Sequence, residues 1–319
     1  MFELPALQQI ETAAQAVYTV LQATPQINWP LLSERCGCEV WIKHENHNPT
    51  GAFKVRGGLT YLGKLLQAEP ATRGVCTATR GNHGLSVAFA AARYGVEAVV
   101  VVPEGNNPEK NAAVRALGAE LIVHGRDFDE AVPFAMQLAQ ERGLHQMPPF
   151  HHDLVLGVAT YSLEFLRAVP GLQRVYVPVG LGSGICGMIA VRNGLGLQTE
   201  IVGVVAENAP TYLQSFAAGR CLPTDSADTI ADGLAVRIPS EQSLGIIRRN
   251  VARIVAVSEE AILQGLRHYF TDTHNVAEGA AAAPLAAALA ERDRNQGQKI
   301  GLVLSGGNID RELLLRSLR

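Results

Sequence analysis

The hydrophobic pattern changes period along the chain, and each change marks an element. Leu7, Ile10, Ala14, Val17, Tyr18 and Leu21 recur at helical spacing, predicting a helix over 6–22 stopped by Thr24-Pro25. Residues 39–43 read as a short strand. From Lys54 the run VRGGLTYLGKLL returns to helical spacing, which puts Lys54 at or just before a helix N-terminus. Strands are then predicted over 74–79, 97–102 and 120–124. Helices are predicted over 85–94, 108–117 and 127–142, with a turn over 80–84 and Gly118 and Gly143 as stops. After Pro148-Pro149 the alternation restarts. It gives a helix over 160–169, a strand over 175–179 running into a glycine-rich turn and helix, and a strand over 201–206. A less regular stretch over 208–250 follows. A strand over 254–257, helices opened by Ser258 and over 280–292, and a last strand over 300–304 complete the pattern.

Strand–helix alternation of this kind implies mostly parallel sheets with right-handed crossovers. The expected fold is α/β, with two doubly wound lobes and a cleft between them. A small lobe over 52–148 is complete without the first helix and the strand at 39–43. Residues 1–51 therefore join 149–319 in the large lobe. No repeat with a solenoid period is present.

Composition narrows the function. A chain of 319 residues, 47% of them hydrophobic, supplies two cores. The net charge of −3 is spread in both signs, with no basic stripe for nucleic acid and no polybasic segment for a membrane surface. The N-terminus lacks the cationic and continuous apolar regions of a secretory signal, and no run is long enough to span a bilayer. A cytoplasmic protein with no nucleic-acid or membrane partner is expected. The five cysteines are odd in number and irregularly spaced, which excludes a disulfide framework. Cys36-Gly37-Cys38 is too tight for a zinc pair and has no second pair. His151-His152-Asp153 reads as a loop rim, and no metal is expected.

Lys54 is the candidate nucleophile. A lysine reacts only when neutral, and burial or a neighbouring cation favours that form. Phe53 and Val55 offer apolar cover and Arg56 a cation. Gly180-Leu181-Gly182-Ser183-Gly184 ends a strand and opens a helix, where backbone amides cradle a phosphate. No acid ends the next strand in the clear position for a ribose, Glu207 being the nearest, so a dinucleotide stays open as a weaker reading; no Gly-Lys-Ser/Thr of a Walker loop follows, and a tight turn alone would also use glycine. Thr79-Arg80-Gly81-Asn82-His83 and Ser305-Gly306-Gly307-Asn308 likewise follow strands, at the edge where parallel sheets bind ligands. Asn82 is suited to donate an amide hydrogen bond there, although helix capping would also explain it. A reactive lysine, a phosphate cradle, a carboxylate-binding turn and a neutral serine together suit pyridoxal 5′-phosphate.

These residues, with Thr24-Pro25, Glu45-Asn46, Phe53-Lys54-Val55-Arg56-Gly57, Gly81-Asn82-His83-Gly84, Pro178-Val179-Gly180 and Thr229-Ile230-Ala231-Asp232-Gly233, resemble the fold-type II pyridoxal-phosphate enzymes. The likeness is to the threonine/serine dehydratase (ammonia-lyase) and serine racemase family, and it covers nearly the whole chain. It implies that Lys54 is the catalytic residue, forming an imine with the cofactor and later moving the substrate's α-proton. It implies that Phe53, Asn82, Gly233, Ser305 and residues Gly180 to Gly184 bind the cofactor, Asn82 at its 3-hydroxyl and Ser305 at its pyridine nitrogen. Thr79, Arg80, Gly81, Asn82 and His83 would bind an amino-acid substrate. The resemblance also implies a homodimer or larger homo-oligomer.

The departures shape the expected activity. Ala52 replaces the family's serine before Phe-Lys. Arg80 replaces the serine that acts opposite the lysine in racemases, and a guanidinium is a poor proton donor, so elimination is expected rather than racemisation. Glu207 matches one acid of the family's divalent-cation site but its second acid is missing. No regulatory domain follows Asn308, so isoleucine control is not expected. The function implied is dehydration and deamination of L-threonine or L-serine to a 2-oxo acid. The alternatives are a dehydratase for 3-hydroxyaspartate or phenylserine, and a catalytically silent ligand-binding protein on the same scaffold.

Overall fold

The computed structural model describes residues 2–319; Met1, where the large-lobe assignment starts, lies outside them. In chain order the elements are α1 (Leu7–Val17), β1 (Gln26–Asn28), α2 (Pro30–Cys36), β2 (Glu39–His44), α3 (Lys54–Ala68), β3 (Gly74–Ala78), α4 (Asn82–Tyr94), β4 (Glu97–Val102), α5 (Pro108–Ala116), β5 (Glu120–Val123), α6 (Phe128–Arg142) and β6 (His145–Gln146). The second half contributes α7 (His152–Ala168), β7 (Arg174–Pro178), α8 (Ser183–Gly194), β8 (Glu200–Ala206), α9 (Thr211–Ala218), α10 (Glu241–Asn250), β9 (Arg253–Val257), α11 (Glu259–Thr273), α12 (Gly279–Ala290), α13 (Arg292–Asn295), β10 (Lys299–Leu304) and α14 (Arg311–Ser317).

Two sheets result. The smaller runs β5-β4-β3-β6, all parallel. The larger runs β1-β2-β10-β7-β8-β9, parallel except for the edge pair β1–β2. The expected α/β architecture with mostly parallel sheets is therefore present, and the strand at 39–44 does join the larger sheet. In each sheet the chain winds outward from one strand and later returns to its other side. The reversals fall between β3 and β6 and between β7 and β10, and crevices at such switch points bind ligands.

Burial explains the elements. Val99 to Val102 of β4 are buried on both faces, as a central parallel strand covered by helices requires. In α12 every residue from Gly279 to Ala288 is buried, the small side chains letting the helix lie close on the sheet. Polar caps set helix starts: the side chains of Asp127, Ser240, Ser258 and Asp310 accept amide hydrogens from the first turns of α6, α10, α11 and α14.

α7 is the shared spine, packing on α3 on one side and on α8 on the other. Its contact with α3 depends on Gly157, because a Cβ there would lie 2.3 Å from the carbonyl oxygen of Arg56.

Several boundaries differ from the sequence reading. α1 ends at Val17, well before Thr24-Pro25. α4 opens at Asn82, inside the expected turn, and Asn82 is its first helical residue rather than its cap. α7 begins eight residues before Thr160. His151 is its N-cap, accepting from the Asp153 amide, and His152 and Asp153 form its first turn instead of a loop rim. The stretch 208–250 contains α9, α10 and a 3₁₀ turn over Asp232–Leu234. The short elements β1, α2, β6 and α14 carried too few periodic positions to be read.

Candidate active site

The two switch points face one cleft of about 420 Å³. Every candidate residue lines it: Phe53 and Lys54, Thr79 to His83, Gly180 to Gly184, Gly233 and Ser305. They arrive from three strand ends, three helix starts and one 3₁₀ turn, which is why they are dispersed in sequence.

Lys54 is the first residue of α3, and its Nζ donates to Ser183 Oγ at 3.1 Å, with the Phe53 ring 5.3 Å away. Burial alone pulls the Lys54 pKa down to about 8. Arg56 is not the neighbouring cation that the sequence suggested. Its guanidinium points away into a buried cluster, where Nε meets Glu45 Oε2 at 2.7 Å and Nη1 meets Glu164 Oε1 at 2.6 Å. Lys43 also binds Glu164, and Thr24 Oγ1 donates to Glu45 Oε1 at 2.5 Å. Arg56, Lys43 and Glu45 are fully buried, so this cluster anchors the first turn of α3 from behind.

The turn after β7 is built for an anion. Gly182 has φ +98°, a conformation that favours glycine, and α8 starts at Ser183. The first helical hydrogen bond runs from Cys186 to Gly182, which leaves the amides of Ser183, Gly184 and Ile185 without helical acceptors. Gly180 serves packing, since a Cβ there would lie 2.2 Å from the carbonyl oxygen of Gly233. Free amides, the Ser183 hydroxyl, an adjacent lysine of low pKa and an enclosed cleft fit a phosphate-bearing aldehyde.

Elsewhere in the lining, Arg80 is partly exposed and makes no hydrogen bond or ion pair among the described residues, where its buried Nε has no partner. His83 is buried, with an unpartnered Nε2 and a pKa lowered to about 3 by burial and by Lys54, so it is neutral. Asn82 donates to Glu278 at 2.7 Å and accepts from Asn308 at 2.8 Å.

Lys110 and Glu278 also line the cleft and escaped the sequence reading. Lys110 Nζ lies 3.0 Å from Asp232 and 3.9 Å from Glu278. The Lys110 signal was a charge on an otherwise ordinary amphipathic helix. Glu278 sits immediately before the alanine run of α12, a place where an isolated acid asks for a buried partner.

Two mostly parallel sheets with a lysine, a glycine-rich turn and a serine lining one cleft match a two-lobed pyridoxal-phosphate fold. The chain belongs to the pyridoxal-phosphate dependent enzyme family, whose model matches residues 17–306, and it depends on that cofactor. It is 34% identical over 311 residues to an L-threonine ammonia-lyase of Thermotoga maritima, covering 97% of this chain and 77% of that one. It is 31% identical over 308 residues to an L-threo-3-hydroxyaspartate ammonia-lyase of Saccharomyces cerevisiae, covering 96% and 94%. Among solved structures, the processed form of threonine deaminase isoform 2 from Solanum lycopersicum aligns with a TM-score of 0.90 at 30% identity, over 98% of this chain and 92% of that one.

Proposed function

We propose that this chain is an ammonia-lyase for a 3-hydroxy amino acid, L-threonine or L-serine, giving a 2-oxo acid and ammonia. The observation that carries this reading is Lys54 itself: an amine with a pKa near 8, touching the first residue of the phosphate-binding helix. Relatives named threonine ammonia-lyase support it. Bound pyridoxal phosphate supplies an electrophilic aldehyde and a conjugated ring that draws electrons from the substrate's α-carbon.

The protein's share is positioning and proton transfer. The first-turn amides of α8 and Ser183 hold the phosphate. Asn82 presents an N–H to the cofactor's phenolic oxygen, and Ser305 offers the pyridine nitrogen a neutral partner that does not force its protonation. The turn Thr79 to His83 receives the substrate's carboxylate, with His83 neutral. Lys54 takes the α-proton in its neutral form and returns it to the departing β-hydroxyl, which leaves as water, and water returned in the final hydrolysis releases ammonia. Arg80 stands where racemisation would need a proton donor, so elimination is favoured. The same reading takes 52–148 as the small lobe, the cytoplasm as the compartment, and a homodimer or larger homo-oligomer as the assembly.

The test is a substrate panel scored for 2-oxo acid and ammonia, with Lys54→Ala beside wild type. Release from threonine or serine by wild type alone supports the reading. Undiminished turnover by Lys54→Ala overturns it.

The unpaired guanidinium of Arg80 favours a second reading, an acidic substrate such as 3-hydroxyaspartate. A side-chain carboxylate would give this partly exposed guanidinium a charge-assisted partner. The yeast relative's name agrees with this reading.

A further inference from the structure

Three contacts set the Asn82 amide in one orientation. Asn308 Nδ2 donates to the carbonyl oxygen of Thr50 at 2.8 Å and to Asn82 Oδ1 at 2.8 Å, and Asn82 Nδ2 donates to Glu278 Oε1 at 2.7 Å. The row has a direction. A backbone carbonyl only accepts, so Asn308 turns its amino group toward Thr50 and Asn82 turns its carbonyl toward Asn308. One Asn82 N–H then ends on Glu278. The other has no acceptor among the described residues and belongs to a residue that lines the cleft.

Glu278 is an expensive choice for this place. It is 6% exposed, and its Oε2 is buried with no hydrogen-bond partner among the described residues. Burial pushes its pKa up, while Lys110 and the Asn82 bond pull the other way and nearby Asp232 opposes them. Lys110 is shared with Asp232 and stands 3.9 Å from Oε2. An apolar side chain would avoid this cost. The surroundings are nevertheless shaped to the carboxylate: a Cβ on Gly306 would lie 2.6 Å from Oε1.

We infer that Glu278 is a positioning residue which, with Asn308 on the other side, holds Asn82 so that an N–H faces the cofactor's phenolic oxygen. This rests on the reading that Asn82 meets that oxygen. A carbonyl there would set acceptor against acceptor, whereas a fixed N–H favours the ionised phenol. Glu278 acts here through Asn82, so its acceptor oxygen matters and its ability to ionise does not.

The experiment reconstitutes the apo forms of wild type, Glu278→Gln, Glu278→Leu, Asn308→Asp and Asn82→Ala with pyridoxal phosphate. It measures cofactor Kd and the absorption spectrum of the bound cofactor from pH 6 to 10, with Tm of each apo protein as the folding control. Glu278→Gln keeps an acceptor for Asn82, so Kd stays within about threefold and the spectrum is unmoved. Glu278→Leu and Asn308→Asp, on opposite sides of Asn82, each weaken the cofactor about tenfold and shift the midpoint of the absorption titration by about one pH unit in the same direction. A Glu278→Leu protein with wild-type Kd and spectrum overturns the inference. So does a Glu278→Gln protein as impaired as Glu278→Leu, which would make the carboxyl an acid–base group. Should Glu278→Leu fail to fold, an unshifted Asn308→Asp spectrum overturns it equally. An Asn82→Ala protein indistinguishable from wild type overturns the underlying reading of Asn82.

Discussion

Lys54 Nζ lies 3.1 Å from Ser183 Oγ, so the first residue of α3 touches the first residue of α8. Two helix N-termini thus converge on one amine. Burial disfavours its protonation, and the free amides at the start of α8 favour an anion beside it.

The pH dependence of cofactor capture follows from this pair. The Lys54 pKa is lowered to about 8, so the neutral, reactive fraction rises about tenfold per pH unit below 8 and levels off above it. Stopped-flow association of pyridoxal phosphate with apo protein should show that profile, with a midpoint near 8. A midpoint near the ordinary lysine value would show that the amine is not desolvated. The unfolded chain binds the Lys54 proton more tightly than the folded one, so this group's contribution to stability grows as pH rises from about 8 toward the ordinary lysine pKa.

Arg80→Ala separates the two substrate readings. If its guanidinium receives a side-chain carboxylate, kcat/KM for 3-hydroxyaspartate falls about 30-fold or more, the scale of a lost charge-assisted contact, and threonine turnover changes little. Equal losses for both substrates would assign Arg80 to the cofactor or to the common α-carboxylate.

Arg56→Met tests the cluster behind Lys54. It leaves Glu45 and Glu164 buried with too few cations, and breaking a buried pair this way costs about 3–5 kcal/mol. Urea unfolding of the apo protein measures the loss. Burial pushes the Glu45 pKa up, but Arg56 and Lys43 outweigh it and hold the pKa below the ordinary carboxylate value. Its pairing therefore stabilises the fold above that ordinary value and is lost as pH falls through the lowered one. Arg56→Met should accordingly unfold at a higher pH in an acid titration.

Gly182→Ala should weaken cofactor binding. At φ +98° an ordinary side chain is strained, and a Cβ there would also lie 2.7 Å from Ser243 Cβ. The turn must shift, and with it the amides of Ser183 to Ile185. Equilibrium dialysis should show at least a tenfold rise in the Kd of pyridoxal phosphate, with threonine KM moved less than cofactor affinity.

The central strands were legible in the sequence because long β-branched runs between glycine and proline stops have few other readings. Val99 to Val102 is the clearest case. α7 was misread at its start because its first turn is His152-Asp153, polar and capped by a histidine, so the apolar period is visible only further on. The cleft-lining residues were recognisable where glycine, asparagine or serine follows a strand. Glu278 and Lys110 were not, because their meaning lies in a contact between segments far apart in the chain. Arg56 was misjudged for the same reason: neighbours in sequence on a helix point in different directions, and its partners Glu45 and Glu164 come from two other segments.

The cleft has two kinds of wall. Lys54, the 180–184 turn and Ser305 stand on buried strand ends and helix starts, whereas residues 225–238 that close the other side form irregular chain apart from one short turn. Within that second wall Asp232 and Gly233 are tied to Lys110 and to the 180–184 turn, whereas the cleft-lining residues 225–228 before them lie outside both sheets. A lineage, or an engineer, seeking a new amino acid for the same chemistry therefore has a tolerant place to begin at 225–228 and a costly one at Lys54.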